Sequence, residues 1–227
     1  MEMPHENASS DVLLDEFGEF HASALGAEPR ASGIAAEFGA RQSTLRAALG
    51  AREAAERAAE ATEALKVRAE IDVEKKIREI ELSVLGKVEK KRDRDPYRRM
   101  FPKNLEGAIE PVGAAQVAEG IRIANLAAPL PGTPAAESPL EGLPDDVPRL
   151  GAELRSLCEI LDQRVKADDA AAEAVALAFA AELSERRRWR EQYRKNHGVL
   201  TGLMPSDPRT VESFFRKPPK RKKKNES

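Results

Sequence analysis

A stretch of about sixty residues without proline, from about Ile34 to about Arg94, constrains the fold more than any other feature of the sequence. In its later half, apolar residues recur in steps of three and four, which is the period of one face of an α-helix. This stripe comprises Leu65, Ala69, Val73, Ile77, Ile80, Val84 and Val88. At a rise of 1.5 Å per residue, an unbroken helix of this length extends for about 90 Å. The stretch therefore predicts a long amphipathic helix.

A second long helix is predicted to begin at about Asp145 or Asp146 and to end at about Asn196. Pro148 in the first turn and Gly198 after the last turn are typical of helix ends. Its apolar stripe comprises Leu150, Leu154, Leu157, Leu161, Val165, Ala172, Val175, Phe179 and Leu183, and continues towards Tyr193 and His197. Two such helices in one chain indicate a helical hairpin.

Charge patterning favours an antiparallel hairpin. Residues 87–99 carry a net charge of +4 and residues 186–195 carry +5, and a parallel pairing places these two segments together. An antiparallel pairing sets the first against residues 145–169, with a net charge of −3, and the second against residues 51–65, with −2. Because like charges repel, we predict an elongated, coiled-coil-like antiparallel hairpin or bundle.

The composition agrees with long solvated helices. Aromatic residues make up 4% of the chain and charged residues 33%, and strand-like runs are absent. The predicted fold class is therefore all-α, with two long helices, short accessory helices and disordered termini.

Five segments are predicted along the chain. They are an acidic N-terminal segment with a short amphipathic helix (1–33), a long helix with a short return helix (34–128), a proline-rich linker (129–148), the second long helix (149–199), and a C-terminal peptide with a basic tail (200–227). The N-terminal helix is expected to bury Leu13, Phe17, Phe20 and Ala24 and to stop at Gly26. The return helix is expected to bury Val117, Ile121 and Leu126.

Proline is expected to end the first long helix. Pro96 and Pro102 remove backbone donors and disfavour helical geometry in the residues before them. The aromatic residues of this segment are predicted to fold back onto the end of the helix.

The segment "RRRWREQYRK" (186–195) is basic and contains two aromatic residues. Trp189 and Tyr193 continue the edge of the apolar stripe, and arginine stems pack well on aromatic rings. We therefore favour a packed helix end for this segment over a nucleic-acid surface.

The C-terminal peptide "DPRTVESFFRK" is predicted to form a short helical turn that presents Val211, Phe214 and Phe215. These three residues are candidates for binding a partner protein, and the alternative is a latch onto the chain's own helices. A small apolar residue, two spacers, two aromatics and then bases resemble the peptides that bind ring-shaped DNA sliding clamps. The segment departs from them at Pro208, where they have glutamine, and at Val211, where they have a larger aliphatic residue.

A basic tail follows the peptide. Its candidate polyanion-binding residues are Arg216, Lys217, Lys220, Arg221, Lys222, Lys223 and Lys224. Because a run of bases cannot form a core, it is expected to be disordered and to contact nucleic acid through its charge.

No catalytic or metal-binding signature is recognisable in the sequence, so we predict a non-catalytic protein without metal or cofactor. His5, His21 and His197 are scattered, and Cys158 is the single cysteine. No stretch approaches the length of a membrane span, which predicts a soluble cytoplasmic protein. We expect a scaffold or adaptor that binds a protein partner or itself within a larger assembly. The alternative is an accessory protein tethered to nucleic acid by its tail.

Overall fold

The computed structural model describes residues 3–128 and 140–216, and this part of the chain is helical with no β-strand. A π-helical segment, Val12–Gly18, precedes seven α-helices. The α-helices are α1 (Glu19–Gly26), α2 (Ser32–Lys87), α3 (Tyr97–Met100), α4 (Asn104–Ile109), α5 (Gly113–Ala127), α6 (Val147–Leu203) and α7 (Pro208–Ser213). The all-α prediction is confirmed. None of these helices is apolar over enough length to cross a membrane.

The chain divides into two compact units, and both long helices contribute to each. Unit 1 comprises Met1–Glu56 and Ala174–Ser227, and unit 2 comprises Arg57–Glu173. Each unit has its own core of buried apolar side chains. Within α6, no residue between Leu161 and Glu182 is buried. Side chains that are exposed or only partly buried thus occupy the part of α6 where the division falls.

In unit 1, α2 and α6 run antiparallel. The Nε1 atom of Trp189 donates a hydrogen bond to the side chain of Gln42 over 2.8 Å. Lys195 and Glu37 form an ion pair of 3.2 Å further along. Residue numbers therefore rise on one helix as they fall on the other.

Unit 2 shows the same antiparallel direction in its own contacts. Lys76 pairs with Glu153 at 2.8 Å, and the Ser83 hydroxyl donates to Asp146 over 2.8 Å. The short helices α3, α4 and α5 pack beside α2 and α6 and complete the core of unit 2.

Helix α2 ends at Lys87, seven residues before the predicted end at Arg94. Glu89 and Lys90 have φ values of 55° and 65°. The Lys90 amide donates to the Leu85 carbonyl and the Glu89 amide donates to the Gly86 carbonyl. These bonds form a Schellman motif, which usually has glycine where Glu89 stands. Because position 89 is not glycine, nothing in the sequence indicated that α2 ends at Lys87.

Helix α6 continues through Gly198 to Leu203, so the prediction that it ends at about Asn196 is wrong. Leu200 and Met204 are buried in the core of unit 1. Their burial stabilises the last turns by more than the roughly 1 kcal/mol that a helical glycine costs.

The N-terminal helix buries a different face from the one predicted. Phe17 and Ala24 are only partly buried and Phe20 is 45% exposed. The buried residues after Leu13 and Leu14 are Gly18, His21 and Leu25. Each lies one position after a predicted residue, because the π-helical segment inserts one extra residue into the helical register. The prediction that α1 stops at Gly26 is confirmed.

Two other predicted apolar stripes are corrected. In α6, Phe179 is 44% exposed and Ala172 is exposed. In α5, the most deeply buried apolar residues are Ile123, Ala124 and Ala127. Val117 and Ile121 only flank the core, because the face of α5 that packs on α2 and α6 contains Gly120.

The aromatic residues after α2 fold back as predicted. Tyr97 and Phe101 are buried in the core of unit 2, with ring centroids 5.3 Å apart. The Tyr97 hydroxyl donates to the buried carboxylate of Glu81 over 2.9 Å. Burial together with this carboxylate raises the pKa of Tyr97 to about 12.

Candidate functional site

The candidate partner-binding residues Val211, Phe214 and Phe215 are buried in the core of unit 1. Val211 lies in helix α7, and the two phenylalanines follow its last residue. The start of α7 is capped by Asp207, whose side chain accepts a hydrogen bond from the Thr210 amide. This arrangement corresponds to a latch onto the chain's own helices, which was one of the two alternatives that the sequence allowed. The other was a peptide that binds a partner protein. A role in binding a partner stays a prediction, and it requires these side chains to leave the core.

His21 holds the C-terminal peptide in place. Its Nδ1 atom lies 2.8 Å from the carbonyl oxygen of Phe214, and its ring stacks on Phe215 with centroids 4.6 Å apart. On the other side, Nε2 lies 3.0 Å from the amide nitrogen of Asn196. The Asn196 oxygen accepts a hydrogen bond from Gln192, which leaves the Asn196 nitrogen facing the histidine.

These contacts favour a neutral histidine. Nδ1 donates its proton to the carbonyl of Phe214, and Nε2 accepts from the Asn196 amide group. A proton on Nε2 would face another donor. Burial lowers the pKa of His21 to about 4, against the opposing effect of the hydrogen bond to Phe214.

The segment 186–195 has an aromatic face that is part of the core. Trp189 and Tyr193 are fully buried and their rings stack at 5.1 Å. Phe38 contacts Trp189 with ring centroids 5.5 Å apart. The prediction that these two aromatic residues pack in the core is confirmed, but they lie inside α6 and not at its end, because the helix continues to Leu203.

A buried carboxylate, Glu182, lies beside this core and had no counterpart among the sequence predictions. It accepts a hydrogen bond from the Ser10 hydroxyl and forms an ion pair with Arg186. The Nε atom of Arg52 lies 2.6 Å from its second oxygen. Burial acts to raise the pKa of Glu182, but Ser10 and the two arginines outweigh it and hold the pKa below its ordinary value. Arg186 follows Glu182 by four residues, which is an ion-pair spacing on a helix, but nothing in the sequence indicated that Ser10 and Arg52 reach the same carboxylate.

The same part of α6 has a second, cationic face. Arg186, Arg187, Arg190 and Arg194 line a polar groove of about 680 Å³, whose other wall includes Met3 and Pro4. One terminal nitrogen of Arg190, Nη2, donates to the carbonyl oxygens of His5 (3.1 Å) and Ala8 (3.2 Å). The groove was not predicted from the sequence, although the helical spacing of the arginines at positions 187, 190 and 194 indicates a shared face.

The candidate polyanion-binding residues fall into two groups. Arg216 pairs with Glu16 at 2.7 Å, and its guanidinium lies 5.7 Å from the centre of the Phe17 ring. The other candidates lie outside the described residues, and they are Lys217, Lys220, Arg221, Lys222, Lys223 and Lys224. Their binding of polyanions stays a prediction.

A shallow apolar groove of about 160 Å³ occurs in unit 2. Leu65, Leu157 and Ile160 contribute apolar surface to it, and Arg68 and Arg164 are among the charged residues beside them. Leu65 is 47% exposed and Ile160 is 46% exposed. The groove therefore presents apolar side chains within a charged border.

No cluster of three or more His, Cys, Asp or Glu side chains suited to a metal ion occurs within residues 3–128 and 140–216. Cys158 is buried, and this burial raises the pKa of its thiol to about 12. A thiol that stays protonated at neutral pH is a poor nucleophile.

No protein-family model, curated protein or solved structure matches the chain.

Proposed function

We propose that the protein is a non-catalytic helical scaffold or adaptor that acts through protein–protein contacts within a larger assembly. The observation that supports this most is the apolar groove of unit 2. Half-exposed Leu65 and Ile160 present apolar area, and charged residues border it. An apolar centre with a polar rim is the usual anatomy of a protein interface, and a groove between helices suits an amphipathic helix of a partner or of a second copy.

The proposal includes the arrangement of the whole chain as one elongated antiparallel hairpin. In that arrangement α2 is straight, and exposed positions 43 and 79 are separated by about 54 Å at 1.5 Å per residue. Spin labels on cysteines introduced at Ser43 and Glu79 measure this distance. A main distance below about 40 Å would contradict a straight α2.

Sedimentation velocity and thermal melting at several protein concentrations test the interface. If the groove mediates self-association, Tm rises with protein concentration. The double variant Leu65→Ser/Ile160→Ser should abolish that rise. Leu82→Ser is the matched control, because Leu82 is 67% exposed on α2 and is not part of the groove.

A heterologous partner is tested with the same variants. A defined protein that co-purifies with the native chain should be lost from the groove variant and retained by Leu82→Ser. A monomer whose partners are unaffected by the groove variant would contradict the proposal.

The alternative function is a nucleic-acid-associated accessory protein tethered by its basic tail. It is favoured by the charge of segment 216–224, which follows directly on the latched peptide. Removal of residues 217–227 retains the Arg216–Glu16 ion pair and tests the tail alone. Under this alternative, the deletion abolishes salt-dependent binding of DNA or RNA and leaves Tm unchanged.

A further inference from the structure

Three arginines of α6 share one side of the helix. At 100° per residue, Arg187, Arg190 and Arg194 fall within an arc of about 60°. Trp189 lies about 100° or more from them, on the buried side. The helix therefore separates its aromatic residues, which pack in the core, from the guanidinium groups that line the polar groove.

The positive charge in this groove is incompletely balanced. Among the described residues, Arg187, Arg190 and Arg194 form no ion pair. Of the four arginines that line the groove, only Arg186 forms one, with Glu182. Arg190 instead donates to two backbone carbonyls. Its Nε atom is buried and has no hydrogen-bond partner within the part of the chain that the structure describes. Burial and the nearby charge of Arg186 lower the pKa of Arg190. A half-buried guanidinium without a paired carboxylate is costly. The nearby charge of Glu6 offsets only part of that cost, and a bound anion relieves it further.

The chemistry of the lining indicates which anion. Guanidinium groups bind phosphate through paired N–H donors. The three arginines are spread over about 10 Å along the helix, which is more than one phosphate or sulfate spans. Among residues 3–128 and 140–216, no aromatic side chain lines the groove, so these residues offer no platform for stacking on nucleobases.

The groove is also limited in extent. Residues 3–7 close one side of it, and Glu6 and Glu191 place negative charge at its lining. Both features oppose a long anionic polymer. A volume of about 680 Å³ lies within the range of small-molecule sites.

We propose that this groove binds a small polyphosphate anion, either free inorganic polyphosphate or the phosphate chain of a nucleotide. Arg187 and Arg194 contact the phosphates directly, and Arg190 joins the groove to the N-terminal segment. This site is separate from the apolar groove of unit 2 and does not depend on the proposed scaffold function.

Isothermal titration of the full chain with sodium tripolyphosphate tests the proposal. The double variant Arg187→Gln/Arg194→Gln removes two exposed arginines of the groove. Arg57→Gln/Arg209→Gln removes the same charge from two exposed positions outside it. Because all variants retain the basic tail, its contribution to binding is common to them.

The groove variant should weaken tripolyphosphate binding by about tenfold or more, and the control variant by less than about twofold. Glu6→Gln should strengthen binding by about two- to fivefold, because it removes a negative charge close to Arg190. A nucleoside triphosphate that binds more tightly than tripolyphosphate identifies a nucleotide as the ligand, and the reverse identifies free polyphosphate.

Three outcomes would overturn the proposal. They are equal weakening in the two double variants, sulfate binding as tight as tripolyphosphate at matched ionic strength, and absence of measurable binding at about 1 mM ligand. Tighter binding of a twelve-nucleotide single-stranded DNA through the same arginines would also overturn it, in favour of a nucleic-acid surface.

Discussion

The Nδ1 atom of His21 lies 2.8 Å from the carbonyl oxygen of Phe214, so one buried hydrogen bond joins the N-terminal and C-terminal regions of unit 1. Two further contacts fix the orientation of the histidine ring. Asn196 orients Nε2, and Phe215 stacks on the ring. Nδ1 carries a proton in both states of the ring, so protonation adds a hydrogen at Nε2, where it faces the donor group of Asn196.

Acidification should destabilise unit 1 through His21. Its pKa is 6.5 in the unfolded chain and about 4 in the folded protein, so the unfolded chain binds the proton more tightly. This contribution to stability is fully present above pH 6.5, is lost as the pH falls to about 4, and changes no further below that. The loss amounts to about 3 kcal/mol.

Urea unfolding between pH 7 and pH 4 measures this effect. His21→Gln keeps an amide donor for the Phe214 carbonyl and does not titrate, so its stability should fall by about 3 kcal/mol less than that of the parent over this range. His5→Gln, at an exposed position, should retain the parent's pH dependence. An unchanged pH dependence in His21→Gln would refute this assignment.

The one-residue shift after the π-helical segment gives a second prediction. Leu25 is fully buried, whereas Phe20 is 45% exposed. Leu25→Ala should lower the free energy of unfolding by about 2–5 kcal/mol, and Phe20→Ala by less than about 0.5 kcal/mol. Chemical denaturation of the two variants measures this. A larger loss of stability for Phe20→Ala than for Leu25→Ala would contradict the shift and support an uninterrupted α-helical register.

A third prediction concerns the close approach of α5 and α6. A methyl group added at Gly120 would overlap the sulfur of Cys158. Gly120→Ala should therefore destabilise the protein by about 1–3 kcal/mol. Gly86→Ala is the control, because Gly86 has open space around it and is helical, and it should stabilise by up to about 1 kcal/mol.

A double-variant cycle then identifies the source of the overlap at Gly120. Cys158→Ala removes the sulfur, so Gly120→Ala should cost less in that background than in the parent. Equal costs in the two backgrounds would show that another atom restricts this position.

The fourth prediction concerns the buried carboxylate of Glu182. Glu182→Ala leaves Arg52 and Arg186 without their shared partner and should cost about 3–5 kcal/mol. Glu53→Ala, at an exposed position of the same unit, should change stability by less than about 0.5 kcal/mol. Thermal and urea unfolding provide the measurement. If Glu182→Ala left the free energy of unfolding unchanged, the cost of burying this charge would equal the contribution of its ion pairs.

Local sequence patterns determined the helical class of the protein. A 3.6-residue apolar period over long stretches without proline has one regular solution, because only a helix places those residues on one face. The same reasoning predicted the burial of Trp189, Tyr193, Val84 and Leu154, which the structure confirms. Proline also located the segment in which Tyr97 and Phe101 fold back.

Tertiary contacts decided what the periodicity left open. Glu89 and Lys90 end α2 in left-handed conformations without a glycine to signal it, and Leu200 carries α6 past Gly198 because its burial offsets the cost of that glycine. The extra residue of the π-helical segment placed His21 in the core, where it meets Phe214. A helical period is a property of neighbouring residues, whereas His21, Glu182 and the arginine groove depend on residues more than a hundred positions apart, so their arrangement exists only once the chain has packed.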